Sequence, residues 1–217
     1  MKSNATRGRI IKKCPPLYEV LVKIYTSIFY KRIEVILWKM QGKPVPPPHF
    51  VKQSVVRKYA KKFRIKVLVE TGTYHGAMVE AMRNQFRVIH SIEIYKPLYE
   101  ENVKKFSKYR HIFLHLGDSA YVLPKIMNDI KEPVIFWLDG HFSGRGTGKG
   151  STSTPIMKEL ESIFNHEIKS HVILIDDARD FIGKKDYPTL QELKDFVLRN
   201  YPKSTFNVEN DIIRICP

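Results

Sequence analysis

Two short stretches put carboxylates where apolar runs end. "FWLDGHFSG" places Asp139 after one such run, and "ILIDDARDF" places Asp176 and Asp177 after another. If the two runs are adjacent parallel strands, the three acids meet at the carboxyl edge of the sheet. Carboxylates packed together repel unless one is protonated or a cation bridges them, and hard oxygen ligands suit Mg²⁺. A metal held there can bind a hydroxyl, lower its pKa and orient the oxygen for attack. His141, just beyond Asp139, can then accept the proton near neutral pH. The plainer alternatives are that Asp177 caps a turn and that His141 is a loop histidine bonded to backbone.

A second constellation lies in "VLVETGTYHGAMVEAM", residues 67–82. An apolar run ends in Glu70, Gly72 and Gly76 follow four apart, and a helical pattern begins. A dinucleotide turn wants GxGxxG around an anionic pyrophosphate. Glu70-Thr71-Gly72-Thr73-Tyr74-His75-Gly76 fails that spacing and sets a carboxylate where a pyrophosphate would be repelled. An acid there suits a ligand that is cationic at that point. S-adenosylmethionine carries a sulfonium and an ammonium and no phosphate. In this reading Gly72 allows close backbone approach, Thr73 and Tyr74 complete the turn, and Gly76 lets the helix start close to the strand. Glu93 ends the next apolar run, placed to accept both ribose hydroxyls. Asp118 and Ser119, in "HLGDSA", end the third, where the acid or its neighbour can reach the adenine amino group. Asp118 reads equally well as the cap of a helix starting at Ser119. Asp139 joins the same cofactor edge.

The elements that must position these residues follow from periodicity. Strand-like runs cover 66–70, 87–93, 111–116, 133–139 and 171–177, and helical stretches cover 77–86, 96–107, 119–130, 155–165 and 189–200. Thr154-Pro155 and the capping box Thr189/Glu192 mark two helix starts. "STFNVENDIIRICP" reads as two strands turning at Glu209-Asn210. Strands alternating with helices predict an α/β fold: a Rossmann-like, doubly wound, mostly parallel sheet with a C-terminal antiparallel hairpin. The nearly continuous apolar strands agree, since both faces of such a sheet are buried.

The formal charge of +15 is unevenly spread over the 217 residues. Residues 1–66 hold 17 of the 37 Lys and Arg and only two acids, Glu19 and Glu34, so the remainder is neutral. This predicts two parts: a basic helical N-terminal segment with a proline-rich connector, 1–49, and a globular domain, 50–217. Residues 17–40 are apolar but interrupted by Glu19, Lys23, Lys31, Arg32 and Glu34, which argues against a spanning helix. Such a segment can lie in an anionic membrane interface through residues 1–45 or pack on the domain. "HFVKQSVVRKYAKKF" sets Val51, Val55, Tyr59 and Phe63 on one helical face. The start shows no signal-peptide pattern, and Cys14 and Cys216 sit in no metal spacing, so a reducing cytoplasm is the expected setting, with peripheral contact at the inner membrane face.

Over residues 50–217 the sequence resembles the class I S-adenosylmethionine-dependent methyltransferases. "ETGTYHG", with Tyr74 in place of a middle glycine, looks like the small-molecule O-methyltransferases. "FWLDGHFSG" and "ILIDDARDF" are similar to the catechol-type and especially the macrocin-type sugar enzymes. The resemblance implies that Asp139, Asp176 and Asp177 bind magnesium, with His141 the closest match to a proposed base at a different spacing. The loop 141–155 misses a phosphate-binding GxxxxGK[ST] at both ends and reads as a loop over the site, with Arg145 and Lys149 available to an anionic group. Arg179 and Asp180 could line an acceptor pocket.

The expected function is therefore Mg²⁺-dependent methyl transfer from S-adenosylmethionine to a hydroxyl of a sugar, glycolipid or other small molecule. Nucleic acid is the less expected acceptor: the basic arm could hold phosphates. "LDGH", however, is neither an NPPY nor a DPPY signature, and no lysine accompanies Asp139 or Asp176 on its strand. A third reading is a non-catalytic adaptor. Self-association stays open in all three.

Overall fold

The computed structural model describes residues 17–140, 148 and 152–217, with side chains from Phe29 onward. The chain divides into two compact units, 1–42 and 43–217. In the first, the apolar stretch forms one helix, α1 (Leu17–Met40), on which Phe29, Tyr30, Ile36, Leu37 and Met40 are exposed. Among the described residues no helix is long and apolar enough to cross a membrane.

The second unit opens with α2 (His49–Phe63) and then alternates. β1 (Val67–Thr71), β2 (Val88–Glu93), β3 (Ile112–Leu116), β4 (Val134–Leu138) and β5 (Val172–Ile175) are parallel, and α3 (Ala77–Met82), α4 (Lys96–Phe106), α5 (Ser119–Asp129) and α6 (Ile156–Asn165) connect them. After α7 (Leu190–Asn200), β6 (Thr205–Glu209) and β7 (Ile212–Cys216) add an antiparallel hairpin. The order β3-β2-β1-β4-β5-β7-β6 is the Rossmann-like arrangement that the alternation predicts. Successive residues of each central strand face opposite layers. Val69, Phe136 and Ile173 pack with Leu123, Leu160 and Leu193 of α5, α6 and α7; Leu68, Trp137 and Leu174 pack with Val56 and Met82 of α2 and α3.

Register sets the site. Thr71 lies opposite both Ile92 and Leu138, and Leu138 opposite Ile175, so the strands end together at one edge. The ladder continues one residue further: the amides of Gly72, Asp139 and Asp176 donate to the carbonyls of Ile92, Thr71 and Leu138. Two elements end earlier or turn later than expected. β5 stops at Ile175 because Asp177 takes a left-handed conformation (φ 54°) that a strand cannot continue. The hairpin turns at Asn210-Asp211 rather than Glu209-Asn210. Both central residues have positive φ, 52° and 61°, which Asn and Asp tolerate better than Glu.

Candidate active site

The turn between β1 and α3 is held by a chain of buried hydrogen bonds. Glu70 is only 2% exposed, and its Oε2 accepts from the Ser91 hydroxyl. Ser91 meets Thr73 Oγ1 at 2.6 Å. Burial, opposed by the Ser91 bond and reinforced by Asp139 and Glu93, pushes the Glu70 carboxyl up to about 8. Glu70 thus supports the turn from beneath, held mostly protonated at neutral pH, instead of facing an open cleft as the charge partner of a cationic ligand. Gly72 (φ 82°) tolerates no side chain, because a Cβ would lie 2.3 Å from the Asp139 carbonyl oxygen. The close backbone approach expected of Gly72 is therefore made to the end of β4. At Gly76 (φ 70°) a Cβ would meet Asn102 Oδ1 at 2.3 Å and the Phe106 ring at 2.7 Å. Gly76 lets α3 start against α4, not against β1, which corrects the expectation drawn from the sequence.

Glu93 links the two turns on this edge. Its Oε2 accepts the Tyr74 amide at 2.7 Å and its Oε1 the Tyr95 amide at 2.8 Å. Each oxygen keeps a further lone pair, which fits a ligand diol. Tyr74 itself has φ 49° and is 53% exposed, with its carbonyl held by Asn102. Asp118 caps α5, accepting the Ala120 amide at 3.0 Å. The capping alternative is realised there. Ser119 is buried behind it.

Asp139, Asp176 and Asp177 come together as expected: one carboxylate oxygen from each lies within 4.8 Å of the others. The sequence did not foresee the cation among them. Lys52, from α2, forms an ion pair with Asp176 Oδ2 and lies 3.5 Å from Asp177 Oδ1. Burial works against the lysine's charge, yet Asp176, Asp177 and Asp139 hold its pKa above the ordinary value. Asp176, in turn, is pushed up to about 7 by burial and Asp139. Asp177 Oδ1 also accepts from Arg179 Nη1 at 2.8 Å, and Arg179 pairs with Asp211 in the β6–β7 turn. Among the described residues, four aspartates (139, 176, 177 and 211) share two cations, Lys52 and Arg179. The all-oxygen donor set of Asp139, Asp176 and Asp177 fits a divalent hard cation, with Lys52 occupying one side of its place.

A small pocket of about 10 Å³, room for about one water, opens beside this cluster. Asp139, Gly140, Asp176 and Glu159 form its polar side, and Ile156, Phe181 and Tyr187 much of the rest. Phe181 and Tyr187 meet edge to face, their ring centroids 5.1 Å apart. Burial pushes the Glu159 carboxyl up to about 7 despite hydrogen bonds from Ser119 and Thr71, with Asp118 and Asp139 adding to the rise. The helix expected over 155–165 begins one residue later. Pro155 takes the cap position, and the Thr154 hydroxyl accepts the Ile156 amide at 3.3 Å.

Lys52 and Glu159 had signals that sequence reading passed over. Lys52 falls one turn before Val55 and Val56, on the inner stripe of α2, while Lys58, Lys61 and Lys62 are exposed. Glu159 is three residues after Ile156 and four before Ile163, on the buried stripe of α6. The Arg179–Asp211 pair has no such pattern. His141, Arg145 and Lys149 lie outside the described residues, as does Cys14. Of that loop Gly148 and residues 152–155 are described; a Cβ at Gly148 would meet Ile94 Cγ2 at 2.5 Å.

No protein-family model matches the sequence, and a search of curated proteins finds no match. Solved structures do match. The SAH-bound methyltransferase PaMTH1 of Podospora anserina superposes with a TM-score of 0.56 at 15% identity, over 95% of this chain and 99% of that one. The O-methyltransferase TomG of Streptomyces achromogenes, involved in tomaymycin synthesis and solved in complex with SAM, gives 0.56 at 12% identity, over 85% and 87%. An O-methyltransferase of Bacillus cereus in complex with SAH gives 0.56 at 11% identity, over 96% and 94%. The fold is that of these methyltransferases.

Proposed function

We propose that the chain is an S-adenosylmethionine-dependent methyltransferase that uses Mg²⁺ and transfers the methyl group to a hydroxyl of a sugar or other small molecule. One observation carries the reading. Asp139 belongs to both halves of the site: its carbonyl lies against Gly72 of the cofactor turn, and its carboxylate joins Asp176 and Asp177. Donor and acceptor are thereby brought to one edge.

S-adenosylmethionine, when bound, supplies the methyl group on a sulfonium, and Mg²⁺ held by Asp139, Asp176 and Asp177 supplies Lewis-acid character toward a hydroxyl oxygen. The chain's own residues do the rest. Glu93 fixes both turns and offers its remaining lone pairs to the ribose hydroxyls. Asp118 and Ser119 border the place of the adenine. Lys52 and Arg179 keep the acids together between turnovers, and His141 is the proton acceptor in this reading. The test is a calorimetric titration of S-adenosylmethionine with and without Mg²⁺, followed by an acceptor screen. Asp139→Ala should abolish turnover while cofactor binding survives; full activity in EDTA would refute the metal role.

One observation favours a second reading. Lys52 supplies from α2 the lysine that the strands lack, as methyl transfer to a ribose hydroxyl of nucleic acid would use. RNA binding with a steep salt dependence, lost on deleting residues 1–42, would favour it.

A further inference from the structure

The two edges of the sheet are finished differently. β6, at one edge, carries Thr205, Asn207 and Glu209. β3, at the other, reads Ile112-Phe113-Leu114-His115-Leu116, without a lysine or a proline, and leaves Phe113 45% and Leu116 43% exposed. Edge strands are usually blunted by charge, proline or a bulge, because their free amides and carbonyls pair with other chains. On the inner side of β3, the His111 carbonyl accepts the Ile89 amide and the Gly117 amide donates to the Glu93 carbonyl. Alternation along the strand therefore turns the backbone groups of Ile112, Leu114 and Leu116 outward. The Tyr109 carbonyl takes the Ile112 amide, and the others have no partner among the described residues. The Phe113 ring stacks on His90 at 5.1 Å, and His90 Nδ1 meets His115 Nε2 at 3.0 Å. Burial lowers the pKa of both histidines, His90 to about 4 with His115 adding to the fall, so this face is uncharged at neutral pH.

The strand is complementary to itself. Run antiparallel about a two-fold axis through Leu114, it pairs Leu114 with Leu114, Ile112 with Leu116 and Phe113 with His115 of the second copy. The outward groups of the two Leu114 residues then bond each other, and each Leu116 amide meets an Ile112 carbonyl. Beyond the strand the same register sets Arg110 opposite Asp118 at both ends. Arg110 is exposed and has no ion pair among the described residues. A slip of two residues sets Arg110 against Leu116 or Asp118 against Ile112, a charge against an apolar side chain.

We propose that two copies of this chain join their β3 edges antiparallel about Leu114, with Arg110 of each facing Asp118 of the other. The strand belongs to the neutral part of the chain, so the copies meet away from their excess positive charge. A ladder of five residues a side lies at the low end of interface sizes, under about 1,200 Å², so the dimer is reversible, with a dissociation constant on the order of 10 µM.

Sedimentation equilibrium of the full chain from about 1 to about 200 µM should show a monomer–dimer equilibrium. Phe113→Lys sets a charge on the apolar face and should leave the chain monomeric over that range. Arg110→Glu should weaken the dimer about tenfold, since two attractions become repulsions, and Asp118→Arg should do the same. Mixing those two variants restores both charge pairs, so the mixture should associate about as tightly as wild type. A monomeric wild type, an Arg110→Glu protein that dimerises as wild type does, or a mixture no tighter than its components overturns the proposal. So does an association that survives Phe113→Lys, as one seated on α1 and lost in Leu37→Glu would.

Discussion

Replacing Lys52 by alanine tests the charge balance of the acidic cluster. The variant loses the ion pair to Asp176, whose side chain is 1% exposed, and the contact with Asp177. A hydrogen bond to a charged group contributes about 2 kcal/mol net. The cost does not stop there, because Asp176 must then be protonated or stand unpaired. Burial already holds it at about 7, and without Lys52 it rises further. The direction follows: its folded-state pKa exceeds the unfolded value of 3.8, so stability falls as pH rises through the folded value. Each pH unit above an acid's pKa costs about 1.4 kcal/mol to keep it protonated. The expected destabilisation is thus about 2 kcal/mol at pH 6 and about 3 kcal/mol at pH 8. Mg²⁺ at a hundred times its dissociation constant returns about 2.7 kcal/mol to a state that binds it. The variant should therefore recover nearly all of its loss in Mg²⁺, while wild type gains less because the ion must displace Lys52. Urea unfolding of both proteins at pH 6 and 8, with and without Mg²⁺, measures every quantity. A pH-independent loss, or equal Mg²⁺ stabilisation of the two proteins, would refute the reasoning.

Three further outcomes follow from the same geometry. Glu70, held at about 8 against an ordinary 4.5, should make wild type lose stability as pH rises from 5 to 8, by an amount on the order of 3 kcal/mol; Glu70→Gln should flatten that slope in chemical denaturation. Gly72→Ala combines a left-handed backbone with a 2.3 Å approach to the Asp139 carbonyl; we expect a loss of about 3 kcal/mol or more and no calorimetric S-adenosylmethionine binding, whereas a loss under about 1 kcal/mol would mean that the turn relaxes freely. α1 leaves large apolar residues exposed in a strongly basic segment, so the full chain should co-sediment with phosphatidylserine vesicles and a chain lacking residues 1–42 should not; equal sedimentation of the two would remove the membrane role.

The sheet was legible because each central strand is apolar on both faces and ends in an acid or glycine. Local pattern therefore fixed Glu70, Glu93, Asp118, Asp139 and Asp176 at one edge before any coordinates. Legibility failed where partners are distant in sequence. Lys52 meets Asp176 across 124 residues, and Arg179 meets Asp211 across 32. No periodicity encodes such pairs; only a charged residue on an apolar stripe hints at them, as Lys52 and Glu159 do. Short-range errors had a different cause. The hairpin turn and the end of β5 were each misplaced by backbone conformation, since a left-handed residue such as Asp177 or Asn210 leaves no mark on hydrophobic spacing.

The pairing of Arg179 with Asp211 has a consequence for the order of assembly. The acids after β5 are steadied by a turn that the ribosome delivers more than thirty residues later, and by a lysine delivered long before the first strand. Contacts of such long separation close late, after local helices and neighbouring strands have formed. During synthesis the nascent chain can build the β1–α3 turn while its acidic cluster is still open. The closed acidic cluster must be among the last features the folding chain acquires and the first that partial unfolding of the hairpin takes away.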